Sequence, residues 1–297
     1  MPSQIALGLA ALGRPGYLNV GHGDDLGTDV SVAALRARSF EVLDAAWAAG
    51  VRWFDAARSY GRAEEFLGAW LRERAIAPAD VSVSSKWGYA YTAGWEIDAD
   101  PPEVKELTLA QFRRQWAESR ALLGEHVDLY QIHSATSDSG VFDDEPLLAA
   151  LGELRDTGVE IGLSTSGADQ AAAIERAREL DVFTSVQSTW NLIERSAGDA
   201  LERAHGSGMR VMIKEALANG RLTDRGDTGF DDAQALAGVL ERPWVDVVLS
   251  GAATVEHLRS NLRAADVVWS DELERRAAEL VEEPGGYWEH RGSMAWT

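Results

Sequence analysis

Short apolar runs and amphipathic stretches alternate along the whole chain. The runs are IALGLA (5–10), VRWF (51–54), VSVSS (81–85), VDLYQI (127–132), VEIGLS (159–164), FTSVQ (183–187), RVMI (210–213) and VDVVLS (245–250), eight in all. Runs of this length, bounded by turn residues and nearly continuous in apolar character, predict parallel strands buried on both faces. Between them, Phe40, Leu43 and Trp47 recur at i, i+3 and i+7 within 31–49, and Leu109, Phe112 and Trp116 do the same within 106–123. That spacing makes one apolar stripe on a helix, suited to packing on a sheet. Ser31 and Thr108 stand where N-caps belong, and Gly50, Gly124 and Gly158 where helices should stop.

Repeated strand–helix units predict an α/β fold, a (β/α)8 TIM barrel forming a single domain over 1–297. The rival is a doubly wound open sheet, which usually carries a glycine-rich phosphate turn after its first strand. Here "GLAALGRPG" follows, with Pro15 where a phosphate-binding helix would begin, and "GHGDDLG" (21–27) has no strand of its own before it. Neither GxGxxG nor GxxxxGK[ST] occurs. Two segments exceed the repeat. "GYAYTAGWEIDADPPEVK" (88–105) is too long and irregular for a simple connection, and such excursions tend to be functional. The end of the chain, 270–297, holds Tyr287, Trp288 and Trp296, an aromatic content unusual for a disordered tail.

Composition narrows the function classes. With no cysteine, the chain has no disulfide, thiol nucleophile or Cys-ligated zinc. A formal net charge of −20 repels phosphate backbones, which argues against nucleic acid as a partner. No basic residue precedes the short apolar run at the N-terminus, as a signal peptide would need, and no run is long enough to span a membrane. The expectation is a cytoplasmic protein. Its six histidines are scattered, with no HxH or HExxH, so a metal-dependent barrel hydrolase is disfavoured and no metal ligand is assigned. The three lysines are Lys86, Lys105 and Lys214, and two of them follow strand-like runs directly. An ammonium can shift its pKa where a guanidinium cannot.

In a barrel, functional side chains gather at the C-terminal ends of the strands. Asp55 and Tyr60 follow the second run, Lys86 the third and His133 the fourth. Each alone has an ordinary explanation: a cap, half-buried packing, a surface ammonium, a structural imidazole. Together their types suit one task, giving a proton to a carbonyl oxygen as hydride reaches its carbon. A phenol holds its proton too tightly at neutral pH, and a nearby ammonium favours the phenolate. A carboxylate keeps that ammonium charged and aimed, and a neutral imidazole can hold the substrate oxygen. Tyr60 is therefore the candidate acid, Lys86 its tuner, Asp55 the orienter of Lys86, and His133 the carbonyl holder.

The stretch "WFDAARSYGRAEEFLG" resembles the FDTAxxYG-x-x-E-x-x-LG signature of the aldo-keto reductase superfamily, with Ala56 where Thr is common. "SSKWG" is similar to its lysine strand and "DLYQIHS" to its D-L-x-x-x-H segment. The resemblance runs over 5–265. It implies a (β/α)8 barrel, a nicotinamide cofactor at the C-terminal mouth and a catalytic tetrad falling on Asp55, Tyr60, Lys86 and His133. "GLSTSG" is similar to the family's G-x-S-N-F, which places Ser164, with Gln187, on the nicotinamide carboxamide. "IKEALANGRL" matches A-Y-S-P-L-A-x-G-x-L, so Lys214, Glu215, Ala216, Leu217 and Gly220 should follow the pyrophosphate. Lys214 stands where an aromatic residue often stacks on the nicotinamide, which puts a cation there instead. "SGAATVEHLRSNL" looks like G-A-[RK]-[TS]-x-E-Q-L-x-E-N-L, with Gly251, Ala253, His257, Ser260 and Asn261 on cofactor-contacting positions. Ala253 replaces a residue that often pairs with the 2′-phosphate, and Arg259 or Arg263 could take over that role. The implied cofactor is NADP(H), with NAD(H) possible, and the implied substrate a small carbonyl or alcohol compound. Trp87 and Trp190 are expected to wall the substrate pocket, and the long loop and tail to fold over it. The alternative is a nicotinamide-binding sensor or accessory barrel with little turnover. Oligomeric state is open.

Overall fold

The computed structural model describes residues 4–16, 29–96 and 99–294. The glycine-rich stretch 21–27 and Trp296 lie outside the described residues. The strands are β1 (Gln4–Gly8), β2 (Trp53–Asp55), β3 (Ser82–Trp87), β4 (Tyr89–Tyr91), β5 (Glu103–Lys105), β6 (Val127–Ala135), β7 (Glu160–Thr165), β8 (Ser185–Thr189), β9 (Arg210–Lys214) and β10 (Val247–Ser250). The helices are α1 (Ala10–Gly13), α2 (Val32–Ala48), α3 (Ala63–Glu73), α4 (Leu109–Leu123), α5 (Glu145–Arg155), α6 (Gln170–Arg178), α7 (Gly198–Gly206), α8 (Asp232–Leu240), α9 (Val255–Leu262), α10 (Asp271–Ala278) and α11 (Pro284–Ser293).

Eight of the strands close a parallel barrel in the order β1-β10-β9-β8-β7-β6-β3-β2, and each contains or overlaps one of the apolar runs. Helices cover the outside, so the strands are buried on both faces, which explains their near-continuous hydrophobicity. The expected caps form: Ser31 accepts from the Ala34 N–H and Thr108 from the Gln111 N–H. Gly50, Gly124 and Gly158 have φ of +91°, +62° and +99°, a conformation that a side chain would strain.

The excursion at 88–105 is more ordered than its sequence suggests. β4 and β5 pair antiparallel as a small separate ribbon, with Tyr89 opposite Lys105 and Tyr91 opposite Glu103. The tail is built into the fold as well. On α11, Tyr287 is buried, its hydroxyl accepting from Asn191 Nδ2 at 3.0 Å, and Trp288 packs edge-on against it.

Strand pleating decides what faces the barrel axis, because alternate side chains point to opposite faces. Ala6, Trp53, Leu129, Met212 and Val247 pack together as one apolar cluster. Two residues further along the strands stand Asp55, Gln131 and Lys214. A polar layer therefore lies over an apolar plug, at the end of the barrel where the strands finish.

Candidate active site

Asp55 ends β2 and is buried at the centre of the polar layer. Its Oδ1 accepts from Ser84 Oγ at 2.6 Å, Gln187 Nε2 at 3.2 Å and Gln131 Nε2 at 3.4 Å. Its Oδ2 takes a short charge-assisted hydrogen bond from Lys86 Nζ, which also donates to the Ala56 carbonyl at 3.0 Å. Every close partner of this carboxylate therefore donates, as a buried anion requires. Burial pushes the Lys86 ammonium below its ordinary pKa, and the Asp55 carboxylate works against that push.

Tyr60 enters from the turn after β2. Its ring lies beneath the Lys86 ammonium, 5.0 Å from Nζ to the ring centroid, and meets the His133 ring edge to face at 5.5 Å. The turn is fixed by close backbone packing. A Cβ on Gly13 would come 2.1 Å from the Tyr60 carbonyl oxygen, and one on Gly61 would come 2.5 Å from the Gly13 carbonyl oxygen. His133 is flanked on its other side by Tyr89 at 5.1 Å, and its Nδ1 lies 3.4 Å from Ser59 Oγ. Burial first, then Lys86, Lys214, Lys105 and Arg14, hold its pKa well below the usual histidine range, so the imidazole is neutral at pH 7.

Two cavities open at this end of the barrel. The larger, about 860 Å³, runs from Asp55 and Tyr60 along 214–220 to 249–263. The smaller, about 590 Å³, lies between Tyr60, His133, the β4–β5 ribbon and α11. Of the positions expected to contact a cofactor, Gln187, Lys214, Glu215, Ala216, Leu217, Gly220, Gly251, His257, Ser260 and Asn261 line the larger cavity. Ser164 and Ala253 do not. Ser164 is buried with its Oγ accepting from the Ser134 N–H at 2.8 Å, and Ala253 is buried against Ala11. Arg263 lines the far end, whereas Arg259 is not among the lining residues.

The two tryptophans expected to wall the substrate pocket lie elsewhere. Trp87 is fully buried against Phe112 of α4, and Trp190 packs edge-on against Trp244. The pleat explains both corrections. Lys86 and Thr189 point inward, so the residue following each must point outward to the helices. The smaller cavity is instead walled by Tyr89 and Tyr91 together with Arg14, Glu103 and Arg291. Arg14 pairs with Glu103 at 3.3 Å. Burial raises the Glu103 carboxyl pKa, and Arg14 opposes that rise.

At the end of β9, Lys214 donates to Thr189 Oγ1 at 2.8 Å and stands 3.6 Å from Glu215. Burial lowers its pKa, and Glu215 works the other way. Arg291 of α11 holds Glu215 with two donors on one guanidinium edge, Nη2 at 2.7 Å and Nε at 3.4 Å. Burial alone would raise the Glu215 carboxyl pKa, but Lys214 and Arg291 hold it below the ordinary value. The sequence carried no local signal for Arg14, Glu103 or Arg291. They come from three distant segments and meet only when the chain closes.

Among the described residues, no group of three or more His, Asp or Glu side chains is placed to hold a metal ion. No described helix is long and apolar enough to cross a membrane.

Comparison with known proteins places this geometry in context. The model of the Aldo/keto reductase family matches residues 28–236. Aldo-keto reductase str7 of Strobilurus tenacellus is 29% identical over 225 residues, covering 73% of this chain but only 58% of its own length. D-threo-aldose 1-dehydrogenase of a Pseudomonas species is 26% identical over 277 residues, 86% of this chain and 80% of that protein. The solved structure of aldo-keto reductase AKR11C1 from Bacillus halodurans superimposes with a TM-score of 0.71 at 19% identity, covering 94% of this chain and 92% of that one.

Proposed function

The chain belongs to the aldo/keto reductase family, an oxidoreductase acting on carbonyl and alcohol groups, and from that premise we propose that it moves hydride between NADP(H) in the larger cavity and a polar, hydroxylated carbonyl compound in the smaller one. The observation that carries this reading is that the two cavities meet at Tyr60, beside Lys86 and His133.

The larger cavity suits a dinucleotide. It is elongated, its wall at 214–220 and 250–254 follows the backbone, and Gly251 has open space where a Cβ would stand. α9 begins at its edge, with Thr254 as N-cap, and a helix N-terminus favours phosphate. Arg225 and Arg263, which line the same cavity, supply the positive groups that a 2′-phosphate would need. A reduced nicotinamide held there would supply hydride to a carbonyl carbon.

The rest is done by this chain. His133, kept neutral, can donate a hydrogen bond to the carbonyl oxygen without competing for the proton. As an electron pair arrives at carbon, the C=O π pair moves to oxygen, and Tyr60 transfers its proton there. Lys86 then faces the phenolate and stabilises it, while Asp55 keeps Lys86 charged. In the reverse direction the same groups act as base, which is the sense in which the aldose dehydrogenase relative is named. Charged walls on the smaller cavity favour substrates rich in hydroxyl groups over purely apolar aldehydes.

Titrating NADPH and NADH against the protein, followed by tryptophan fluorescence, tests the cofactor assignment. NADPH should bind more tightly, and a hundredfold preference for NADH would overturn it.

A further inference from the structure

Among the described residues, four line both cavities: Tyr60, Lys214, Glu215 and Arg291. Hydride passing from one cavity to the other crosses the space these residues enclose, so their charges act on the reacting atoms. Those charges do not cancel. Glu215 accepts two hydrogen bonds from one edge of Arg291, while Lys214 Nζ is bonded to a neutral hydroxyl on Thr189 and only approaches Glu215 at 3.6 Å. Among these four residues, two cations face one carboxylate. Among the described residues nearby, Asp55 is paired with Lys86, Glu103 with Arg14, and His133 is uncharged, so none of these turns a spare negative charge on Lys214. The other described carboxylates of the smaller cavity, Glu96 and Asp100, are exposed, where water screens them.

A nicotinamide ring carries a full positive charge when oxidised and none when reduced. A fixed cation beside it, in a site with little water, repels one form and is nearly indifferent to the other. We propose that Lys214 makes the site discriminate between the oxidation states of its cofactor, holding the reduced form and expelling the oxidised one. The inference rests on the reading that the larger cavity takes the dinucleotide. An aromatic ring at this position would stack on either form; an ammonium separates them. The consequence is that release of the oxidised form is assisted by the same charge that leaves entry of the reduced form unopposed.

Tryptophan fluorescence titration of NADPH and NADP+ against the wild-type protein and its Lys214→Met and Lys214→Arg variants tests this without any turnover. Wild type should bind NADPH more tightly than NADP+. The Met variant should narrow that ratio by about tenfold, mainly by tightening NADP+, and the Arg variant should keep the ratio. If Lys214 merely supports the fold, both forms weaken together in the Met variant and the ratio stays put. That result would overturn this inference while leaving the dinucleotide site intact. Failure of both forms to bind wild type would overturn both readings.

Discussion

Replacing Tyr60 with Phe lowers kcat roughly a thousandfold and leaves the dissociation constant of the reduced cofactor within about threefold, the scale expected for loss of a general acid. The substitution is well suited to the question because the ring does separate work from the hydroxyl. Its face packs under Lys86 and its edge against His133, contacts that Phe keeps. What is removed is the hydroxyl that gives the proton. His133 cannot take its place, since burial and the surrounding cations keep the imidazole from carrying a spare proton at neutral pH. Steady-state kinetics with parallel fluorescence titration measure both quantities. A Phe variant that turns over at the wild-type rate removes Tyr60 from the mechanism.

The second large effect concerns the ion pair beside Tyr60. Lys86 and Asp55 have side chains 0% and 2% exposed, so each depends on the other to tolerate burial. Lys86→Met strands the Asp55 carboxylate, and breaking a buried pair from one side costs about 3–5 kcal/mol. The neutral donors Ser84, Gln131 and Gln187 remain, which argues for the lower end of that range. Activity should fall at least about a hundredfold as well, because the phenolate loses its counter-charge. The double variant Lys86→Met with Asp55→Asn separates the two effects. Removing the stranded charge should restore more than half of the lost stability and none of the activity. Urea denaturation read by tryptophan fluorescence gives the stabilities. A Lys86→Met protein as stable as wild type would show that the pair is not buried as described.

Much of this was legible in the sequence, for reasons visible in particular elements. Strands such as β6 and β10 are covered on both sides, so their residues are apolar almost without a break, and such runs stand out from the helices between them. Asp55, Tyr60, Lys86 and His133 all lie within five residues of a strand end, where a barrel concentrates polar groups, so local reading placed them near one another. Trp87 and Trp190 were misplaced because that reading stopped at the strand end without carrying the pleat one residue further. Once Lys86 is assigned inward, Trp87 has to face outward. The β4–β5 ribbon was hidden by its length of three residues per strand, too short for an alternating pattern to show. The charged wall of the smaller cavity was not legible at all. Arg14 follows β1, Glu103 lies on the ribbon and Arg291 on α11, and no spacing along the chain links them. The departure at Lys214 was visible as a substitution, but its unbalanced charge follows only from the partners that Glu215 and Thr189 take in three dimensions.

The central claim is that hydride crosses directly between the two cavities at Tyr60. Single turnover with enzyme in excess over reduced dinucleotide, deuterated at the transferred position, tests it in one step on a panel of aldoses and small hydroxylated aldehydes. Mass spectrometry of the product should find one deuterium bound to the carbinol carbon. Product formed with only solvent hydrogen at that carbon, or no cofactor oxidation with any member of the panel, would contradict it.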